Sequence, residues 1–211
     1  MSIVGIAGPS LSGKTTLAQY IKNMSSEFAR PIIVSDDLKD VAWENLVKEA
    51  RYFTAYEEVY NDKDYLLIYC GRLLSLYESV IEEYRMTNPD DLVILDYTYL
   101  DYLVYMYLHF WFHYPSQELL TTLVLKAYSL QNSLDHIYVV LPDDETYPPD
   151  KLSITRRQSN TDFRRNRQLE IVTYDLLTRS NQRDVTILGR TTEESFEILR
   201  KDIMSRFGGV E

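Results

Sequence analysis

A glycine-rich loop near the amino terminus is the feature that most constrains how this chain can fold. Residues 8–15 read GPSLSGKT and match the full pattern G-x-x-x-x-G-K-[ST]. An apolar run rich in β-branched residues, 2–7, precedes the loop, and a segment with helical spacing, 14–24, follows it. A strand, such a loop and a helix in this order form the context in which backbone amides and a helix N-terminus bind phosphate groups. The sequence therefore predicts a nucleoside triphosphate site at this loop.

Each residue type in the loop has a physical role in binding phosphate. Glycines let the backbone turn so that successive amides point at phosphate oxygens. We expect Lys14 to reach the β- and γ-phosphates of ATP and the Thr15 hydroxyl to bind Mg²⁺. The residues predicted to contact the nucleotide are Gly8, Ser10, Ser12, Gly13, Lys14, Thr15, Thr16 and, on the adenine side after the last strand, Gly189.

Short apolar runs alternate with longer segments of helical spacing along the rest of the chain. Strands are predicted at residues 2–7, 31–35, 92–96, 136–141 and 185–188. Helices are predicted at residues 14–24, 64–85, 101–114, 117–131, 164–178 and 192–207. Continuously apolar strands suit a parallel sheet that is covered on both faces. The pattern predicts an α/β fold, a doubly wound five-stranded parallel sheet sandwiched by helices, in a single domain over residues 1–211.

The composition limits the partners and the location of the protein. The chain has 22 Lys and Arg against 32 Asp and Glu, a net charge of −10, which disfavours nonspecific coating of nucleic acid. The single cysteine, Cys70, excludes an internal disulfide and indicates a reducing, cytoplasmic location. The most hydrophobic segment, 102–112, is shorter than the roughly 20 residues that a helix needs to cross a bilayer. We therefore expect a cytoplasmic protein with no membrane partner, and the oligomeric state stays open.

Signatures of other proteins that share this loop type are missing from the sequence. A guanine-specific switch should carry Asn-Lys-x-Asp, and a transporter ATPase should carry a motif such as LSGGQ. Neither occurs in the chain. Mechanical ATPases usually need a longer chain for an accessory helical domain. A small kinase is the class that remains.

The second predicted strand ends in Ser35-Asp36-Asp37-Leu38. A carboxylate at this strand end would face the γ-phosphate and could deprotonate an acceptor hydroxyl. We expect Asp36 to be this catalytic base, whereas Asp37 either contacts the substrate or caps the next helix. The run resembles the end of the second strand in the uridine kinase and nicotinamide riboside kinase group.

The third predicted strand runs into Asp96-Tyr97-Thr98-Tyr99-Leu100-Asp101. An acidic residue here could hold Mg²⁺ through water or contact the substrate sugar, and Asp96 is our candidate metal ligand. The spacing of Asp96 and Asp101, with an aromatic residue beyond, resembles the ATPase/kinase family that contains the ribosylnicotinamide kinase domain.

Residues 65–105 as a whole resemble the thymidylate kinase arrangement, in which a helix bearing an Arg precedes a strand that ends in Asp-Arg. The resemblance implies that Arg72 approaches a substrate phosphate. Tyr97 stands where that family has its second Arg, a departure that counts against a thymidylate substrate. The predicted substrate contacts are Asp37, Arg72, Asp96, Tyr97 and Asp101.

The charge changes sign along the chain. Residues 36–64 contain nine acidic and four basic residues, whereas residues 151–167 contain six basic residues and one acidic residue. This cationic segment lies in the stretch, about 143–167, where small kinases carry a lid over the transferring phosphates. Arginines there would stabilise the moving phosphoryl group. The candidates are Arg156, Arg157 and Arg164.

Three functions are compatible with these patterns. The first is a Mg²⁺-dependent kinase that transfers the γ-phosphate of ATP to a nucleoside or nucleotide. The second is a kinase of viral type that acts on a hydroxymethylated pyrimidine or an end within DNA. The third is a nucleotide-gated regulatory module without kinase activity.

Overall fold

The computed structural model describes residues 2–9, 12–23, 32–35, 63–87, 90–109, 117–141, 160–180, 185–188 and 191–207. The elements in chain order are β1 (Ser2–Ala7), α1 (Lys14–Asn23), β2 (Ile32–Ser35), α2 (Lys63–Thr87), β3 (Leu92–Leu95), α3 (Tyr99–His109), α4 (Gln117–Ser129), a 3₁₀ turn (Leu130–Ser133), β4 (His136–Val139), α5 (Asn160–Ser180), β5 (Val185–Ile187) and α6 (Thr192–Phe207).

The strands pair in one parallel sheet with the order β2-β3-β1-β4-β5. This confirms the predicted parallel α/β sheet. The central strand β1 pairs with β3 on one side and β4 on the other, so that Gly5 is in register with both Leu95 and Ile137. Because the chain leaves β1 toward one edge and later fills the other edge, the sheet has its topological switch point here. Ligands of such sheets bind beyond the carboxyl ends of the strands at this point.

Alternate residues of β1 enter different cores on the two faces of the sheet. Ile3 and Ala7 belong to a core that α2, α3, α4 and Tyr174 of α5 also build. Val4 and Ile6 belong to a second core, formed with α1 and α6. Side chains of a strand alternate between faces, so both cores require apolar residues throughout β1. This is why the strand sequence is continuously apolar.

Two helices begin earlier than the sequence pattern predicts. Helix α3 starts at Tyr99 instead of residue 101, because Thr98 forms its N-terminal cap: Leu100 N donates to Thr98 Oγ1 (3.1 Å), and Thr98 N donates to Asp101 Oδ2 (2.7 Å). These two bonds form a capping box. Helix α5 starts at Asn160 instead of residue 164, so the end of the predicted lid is helical. The lid residues 143–159 lie outside the described part.

Candidate nucleotide-binding site

The glycine-rich loop joins the end of β1 to the start of α1 at the carboxyl edge of the sheet. Ser12 N donates to Pro9 O (3.2 Å), and Leu17 N donates to Gly13 O (2.9 Å), which begins the hydrogen bonding of α1. The positive end of this helix therefore points into the loop. The Ser12 hydroxyl is buried and finds no hydrogen-bond partner among the described residues.

Both glycines of the pattern have a positive φ, but only Gly8 is also constrained by a close neighbour. A Cβ on Gly8 would lie 2.5 Å from the carbonyl oxygen of Val140 and 2.9 Å from Ser12 Oγ. Gly8 is thus fixed by the close approach of the β4 end. Gly13 has open space around it, but its φ of +91° is a conformation that residues with side chains rarely adopt. Both positions keep the loop in a shape that a phosphate group can approach.

Lys14 folds over the loop from the first turn of α1. Its Nζ donates to Gly8 O (2.6 Å) and Pro9 O (3.1 Å), and its side chain is 12% exposed. Asp101 Oδ1 lies 3.8 Å from the same nitrogen. The ammonium group of Lys14 is therefore held at the loop by two carbonyl oxygens, and the Asp101 carboxylate lies nearby as an acidic partner.

Thr15 and Asp96 meet at the adjacent strand end. Thr15 Oγ1 donates to Asp96 Oδ2 at 2.5 Å, and Asp96 directly follows β3. Hydroxyl and carboxylate oxygens are the hard ligands that Mg²⁺ prefers, so this donor pair fits that ion. Both residues were predicted as metal ligands, and the structure brings them together.

The carboxylate of Asp101 accepts four hydrogen bonds from described residues. Its Oδ1 accepts from Gly8 N (3.2 Å) and from the Tyr174 hydroxyl (2.6 Å). Its Oδ2 accepts from Thr98 N (2.7 Å) and Thr98 Oγ1 (2.9 Å). The Asp101 side chain is 1% exposed. Asp101 was predicted as a substrate contact. In the structure, both of its carboxylate oxygens accept hydrogen bonds from the protein itself.

Two tyrosines near Asp101 are held in the protonated form. Burial raises the pKa of the Tyr174 hydroxyl well above its usual value, and the negative charge of Asp101 raises it further. Burial also raises the pKa of Tyr77 well above its usual value, with Asp101 as the second cause. The Tyr174 hydroxyl therefore remains a hydrogen-bond donor across the working pH range.

A small cavity of about 50 Å³ opens beside Lys14, between α3 and α5. It has a polar part that includes Asp101 and Glu170, and a wall of apolar and aromatic side chains. The lining residues are Gly8, Lys14, Tyr97, Asp101, Val104, Tyr105, Leu108, Glu170 and Tyr174. Tyr97, a predicted substrate contact, lies in this wall with its ring edge against Tyr102 at a centroid distance of 4.9 Å.

Sequence reasoning missed Glu170 and Tyr174, since no motif marks them. Only the packing of α5 against α3 brings them to the loop. The helical spacing of four residues between them is the one signal in the sequence that places them on a common helix face.

Several predicted site residues fall elsewhere or outside the described part. Arg72 lies exposed on α2 and is not among the residues that line the cavity. Thr16 lies exposed in the first turn of α1. Arg164 belongs to α5, and its side chain lies outside the described part of the structure. The remaining predicted positions lie outside the described residues: Ser10, Asp36, Asp37, Arg156, Arg157 and Gly189.

No protein-family model and no curated protein matches the sequence. Solved structures match it over nearly its whole length. Deoxyadenosine kinase from M. mycoides with the products dCMP and a flexible dCDP bound has a TM-score of 0.63 at 12% identity, covering 96% of this chain and 99% of that one. The same kinase with bound dATP gives 0.61 at 15% identity, with the same coverage of both chains.

Thymidylate kinase from Candida albicans has a TM-score of 0.58 at 15% identity and covers 97% of this chain and 91% of its own. At such low identities the likeness shows the fold alone, which this chain shares with these two kinases. Within the described residues, no helix is long and apolar enough to cross a membrane.

Proposed function

We propose that this protein is a Mg²⁺-dependent kinase that transfers the γ-phosphate of ATP to a hydroxyl or phosphate of a nucleoside or nucleotide. One observation carries the proposal: the phosphate loop and the Thr15–Asp96 pair lie together at the switch point of a nucleoside-kinase fold. The loop alone is common to many NTP-binding proteins. The fold around it, which is shared with a deoxyadenosine kinase and a thymidylate kinase, supports a phosphotransferase that acts on small substrates.

Three features of the loop support ATP as the donor. The N-terminus of α1 favours negative charge, and the positive φ of Gly13 gives the loop a backbone conformation that suits amide groups turned toward phosphate oxygens. The buried Ser12 hydroxyl is a donor that a phosphate oxygen would satisfy. Lys14 needs only to exchange the carbonyl oxygens of Gly8 and Pro9 for phosphate oxygens to neutralise the transferred group.

Thr15 and Asp96 would hold Mg²⁺ in this scheme. The bound ion supplies charge neutralisation and alignment of the phosphates. Thr15 provides the hydroxyl ligand, and Asp96 either binds the ion itself or orients a water on it. Their existing hydrogen bond keeps both oxygens at one point in space.

The transfer step needs a base and cations that the sequence supplies. A bond forms between the acceptor oxygen and the γ-phosphorus while the bond from that phosphorus to the β,γ-bridging oxygen breaks, and ADP leaves. For a hydroxyl acceptor, Asp36 takes the released proton. Arg156, Arg157 and Arg164 would stabilise the charge on the moving phosphoryl group.

The cavity beside Lys14 is our candidate for the entry of the acceptor. Lys14, the residue expected to reach the γ-phosphate, lines this cavity, and so do Tyr97 and Tyr105. Aromatic rings can stack on a nucleobase. The similar deoxyadenosine kinase was solved with dCMP, dATP and dCTP, so deoxynucleosides and their monophosphates are the first acceptors to test.

Transfer of label from γ-labelled ATP tests the proposal. The protein is incubated with Mg²⁺ and, one at a time, with nucleosides, deoxynucleosides, their monophosphates and a short oligonucleotide. We expect label on a nucleoside or a nucleotide. Lys14→Ala should reduce the transfer by about 100-fold or more, because a group that stabilises the transition-state charge is removed.

Lys126→Ala is the matched control. Lys126 lies on α4, where it contacts Ser75 Oγ (2.8 Å) and Glu78 (3.3 Å), and its loss removes only a surface pair. Tight ATP binding without transfer to any acceptor would favour the regulatory module. Transfer to the oligonucleotide alone would favour the DNA kinase.

A further inference from the structure

We propose that Asp101 and Tyr174 are positioning residues that hold the phosphate loop in its binding shape and tie it to α5. The inference rests on the proposed function, because it concerns the affinity of the same loop for ATP. It assigns Asp101 a role through the loop instead of the direct substrate contact that its sequence position suggests.

The geometry places one carboxylate at the meeting point of four segments. Asp101 Oδ1 accepts from Gly8 N at the end of β1 and from the hydroxyl of Tyr174 in the second half of α5. It also lies 3.8 Å from Lys14 Nζ at the start of α1. Its other oxygen accepts both donors of Thr98 at the start of α3. A buried carboxylate with this many partners has one low-energy position.

The bond to Gly8 links this network to nucleotide binding. Gly8 is the first residue of the glycine pattern, and its carbonyl oxygen accepts from Lys14 at 2.6 Å. The amide and the carbonyl of Gly8 are therefore both fixed, the first by Asp101 and the second by Lys14. A shift of the Asp101 carboxylate would move the start of the loop and the lysine together.

The bond from Tyr174 links the network to the cationic segment. Helix α5 begins at Asn160 and is continuous to Ser180, so it carries Arg164 and Tyr174 on one rigid element. Ten residues of helix separate these two positions, which is about 15 Å along the axis. The Tyr174 hydroxyl is thus a polar anchor between this helix and the loop, in addition to the apolar packing of α5 on α3.

A single-atom change tests the role of Tyr174. Tyr174→Phe removes only the hydroxyl, so the ring still fills its buried site. Titration calorimetry of MgATP into the full-length protein should show an affinity at least about fivefold lower than that of the wild type, because a hydrogen bond to a charged group is lost. In steady state, the KM for ATP should rise by more than kcat falls, since the change acts on nucleotide binding.

Tyr138→Phe is the matched control. The Tyr138 hydroxyl donates to Asp202 at 3.0 Å, and its ring is also buried, but it lies in the core of the opposite face with α6. Both variants lose one tyrosine–carboxylate bond and should lower the urea midpoint to a similar degree. Only Tyr174→Phe should change the affinity for MgATP, whereas Tyr138→Phe should stay within about twofold of the wild type.

Asp101→Asn is the stronger variant. Asparagine offers one acceptor oxygen, and its amide donors would face other donors, which is a change large enough to compromise folding. Where it folds, its affinity for MgATP should be lower than that of Tyr174→Phe. Because Tyr174→Phe keeps every packing contact of the ring, the inference remains testable without Asp101→Asn.

The outcomes separate this inference from the proposed function. A wild-type protein that binds no MgATP would refute the proposed function itself. A wild type that binds MgATP together with a Tyr174→Phe variant of equal affinity and lower stability would overturn the positioning role alone. In that case the network serves only to stabilise the fold.

Discussion

The Thr15 hydroxyl lies 2.5 Å from the Asp96 carboxylate although 81 positions separate the two residues in the chain. The sheet order explains the contact. Strand β1 pairs in parallel with β3, so the segments that follow both strands leave the sheet at the same edge. A loop hydroxyl and a strand-end carboxylate thereby become neighbours, and both are suitable ligands for Mg²⁺.

We expect Thr15→Ala and Asp96→Asn to reduce the gain in ATP affinity that Mg²⁺ provides. Each variant removes one oxygen of the pair, so the gain should fall by about tenfold or more. Calorimetric titration of ATP with Mg²⁺ and with excess EDTA measures this gain directly. The affinity without Mg²⁺ should change little.

Thr122→Ala is the control for the loss of a threonine hydroxyl. Thr122 donates to Glu118 O at 2.9 Å within α4 and has no part in the loop. Its Mg²⁺ dependence should equal that of the wild type. If Thr15→Ala and Asp96→Asn both kept the Mg²⁺ dependence of the wild type, the two residues would not be ligands of the ion.

Alanine at Gly8 should be more damaging than alanine at Gly13. At Gly8 the new Cβ would lie 2.5 Å from a backbone oxygen of Val140, so the loop or the β4 end must shift, at a cost of about 3 kcal/mol. At Gly13 the space is open, and only the backbone conformation is unfavourable, at about 1 kcal/mol. Urea unfolding of both variants gives the two free energies.

Each glycine variant serves as the control for the other, because both change the same residue type in the same loop. A Gly13→Ala variant that is destabilised as much as Gly8→Ala would contradict the steric argument. It would mean that backbone strain, and not the approach of Val140, dominates at both positions.

The sequence patterns predicted what depends on local chemistry. The loop, the parallel sheet and the candidate metal ligands Thr15 and Asp96 all follow from strand-end positions and residue types. The true start of α3 was also present in the sequence, since Thr98 and Asp101 form a T-x-x-D capping box. The apolar spacing alone places the start of this helix at residue 101, two positions late, because the cap residues are polar.

Contacts that depend on the packing of helices were beyond sequence patterns. Tyr174 reaches Asp101 only because α5 packs against α3, and 73 positions separate the two residues in the chain. A single sequence contains no rule that fixes such a crossing. The same holds for Glu170, whose place beside Lys14 follows from the position of α5.

The stability of the protein should fall at alkaline pH, partly because of Cys70. Burial raises the pKa of this thiol from 9.0 to about 12. Between these values the unfolded chain releases a proton that the native protein retains, so rising pH favours unfolding. This group alone should lower the free energy of unfolding by about 1.4 kcal/mol per pH unit in that window. Urea unfolding at pH 8, 9, 10 and 11 measures the slope.

Cys70→Ala should make this slope shallower by removing the thiol. Part of the slope should remain, because burial also raises the pKa values of Tyr77 and Tyr174. An independent check is the reaction with a thiol reagent at pH 8, which should be slow in the native protein and fast in urea. An unchanged slope in Cys70→Ala, or rapid labelling of the native protein, would contradict the burial of an uncharged thiol.

The final prediction concerns the base for a hydroxyl acceptor. Ser35 at the end of β2 is in register with Leu95 at the end of β3, so the chain leaves both strands side by side. Asp36 and Asp96 are the residues that come next. We expect Asp36→Asn to lower kcat by about 100-fold or more while the affinity for MgATP stays within about twofold, since general base catalysis contributes at least this factor.

The neighbouring carboxylate provides the comparison for Asp36. Asp37→Asn should reduce kcat by a smaller factor, because a helix cap or a substrate contact does not accept the transferred proton. The acidic limb of the pH–rate profile, which reports ionisation of the base, should persist in Asp37→Asn and vanish in Asp36→Asn. A kcat for Asp36→Asn near that of the wild type would mean that the acceptor is already an anion, and would turn the search to phosphate acceptors.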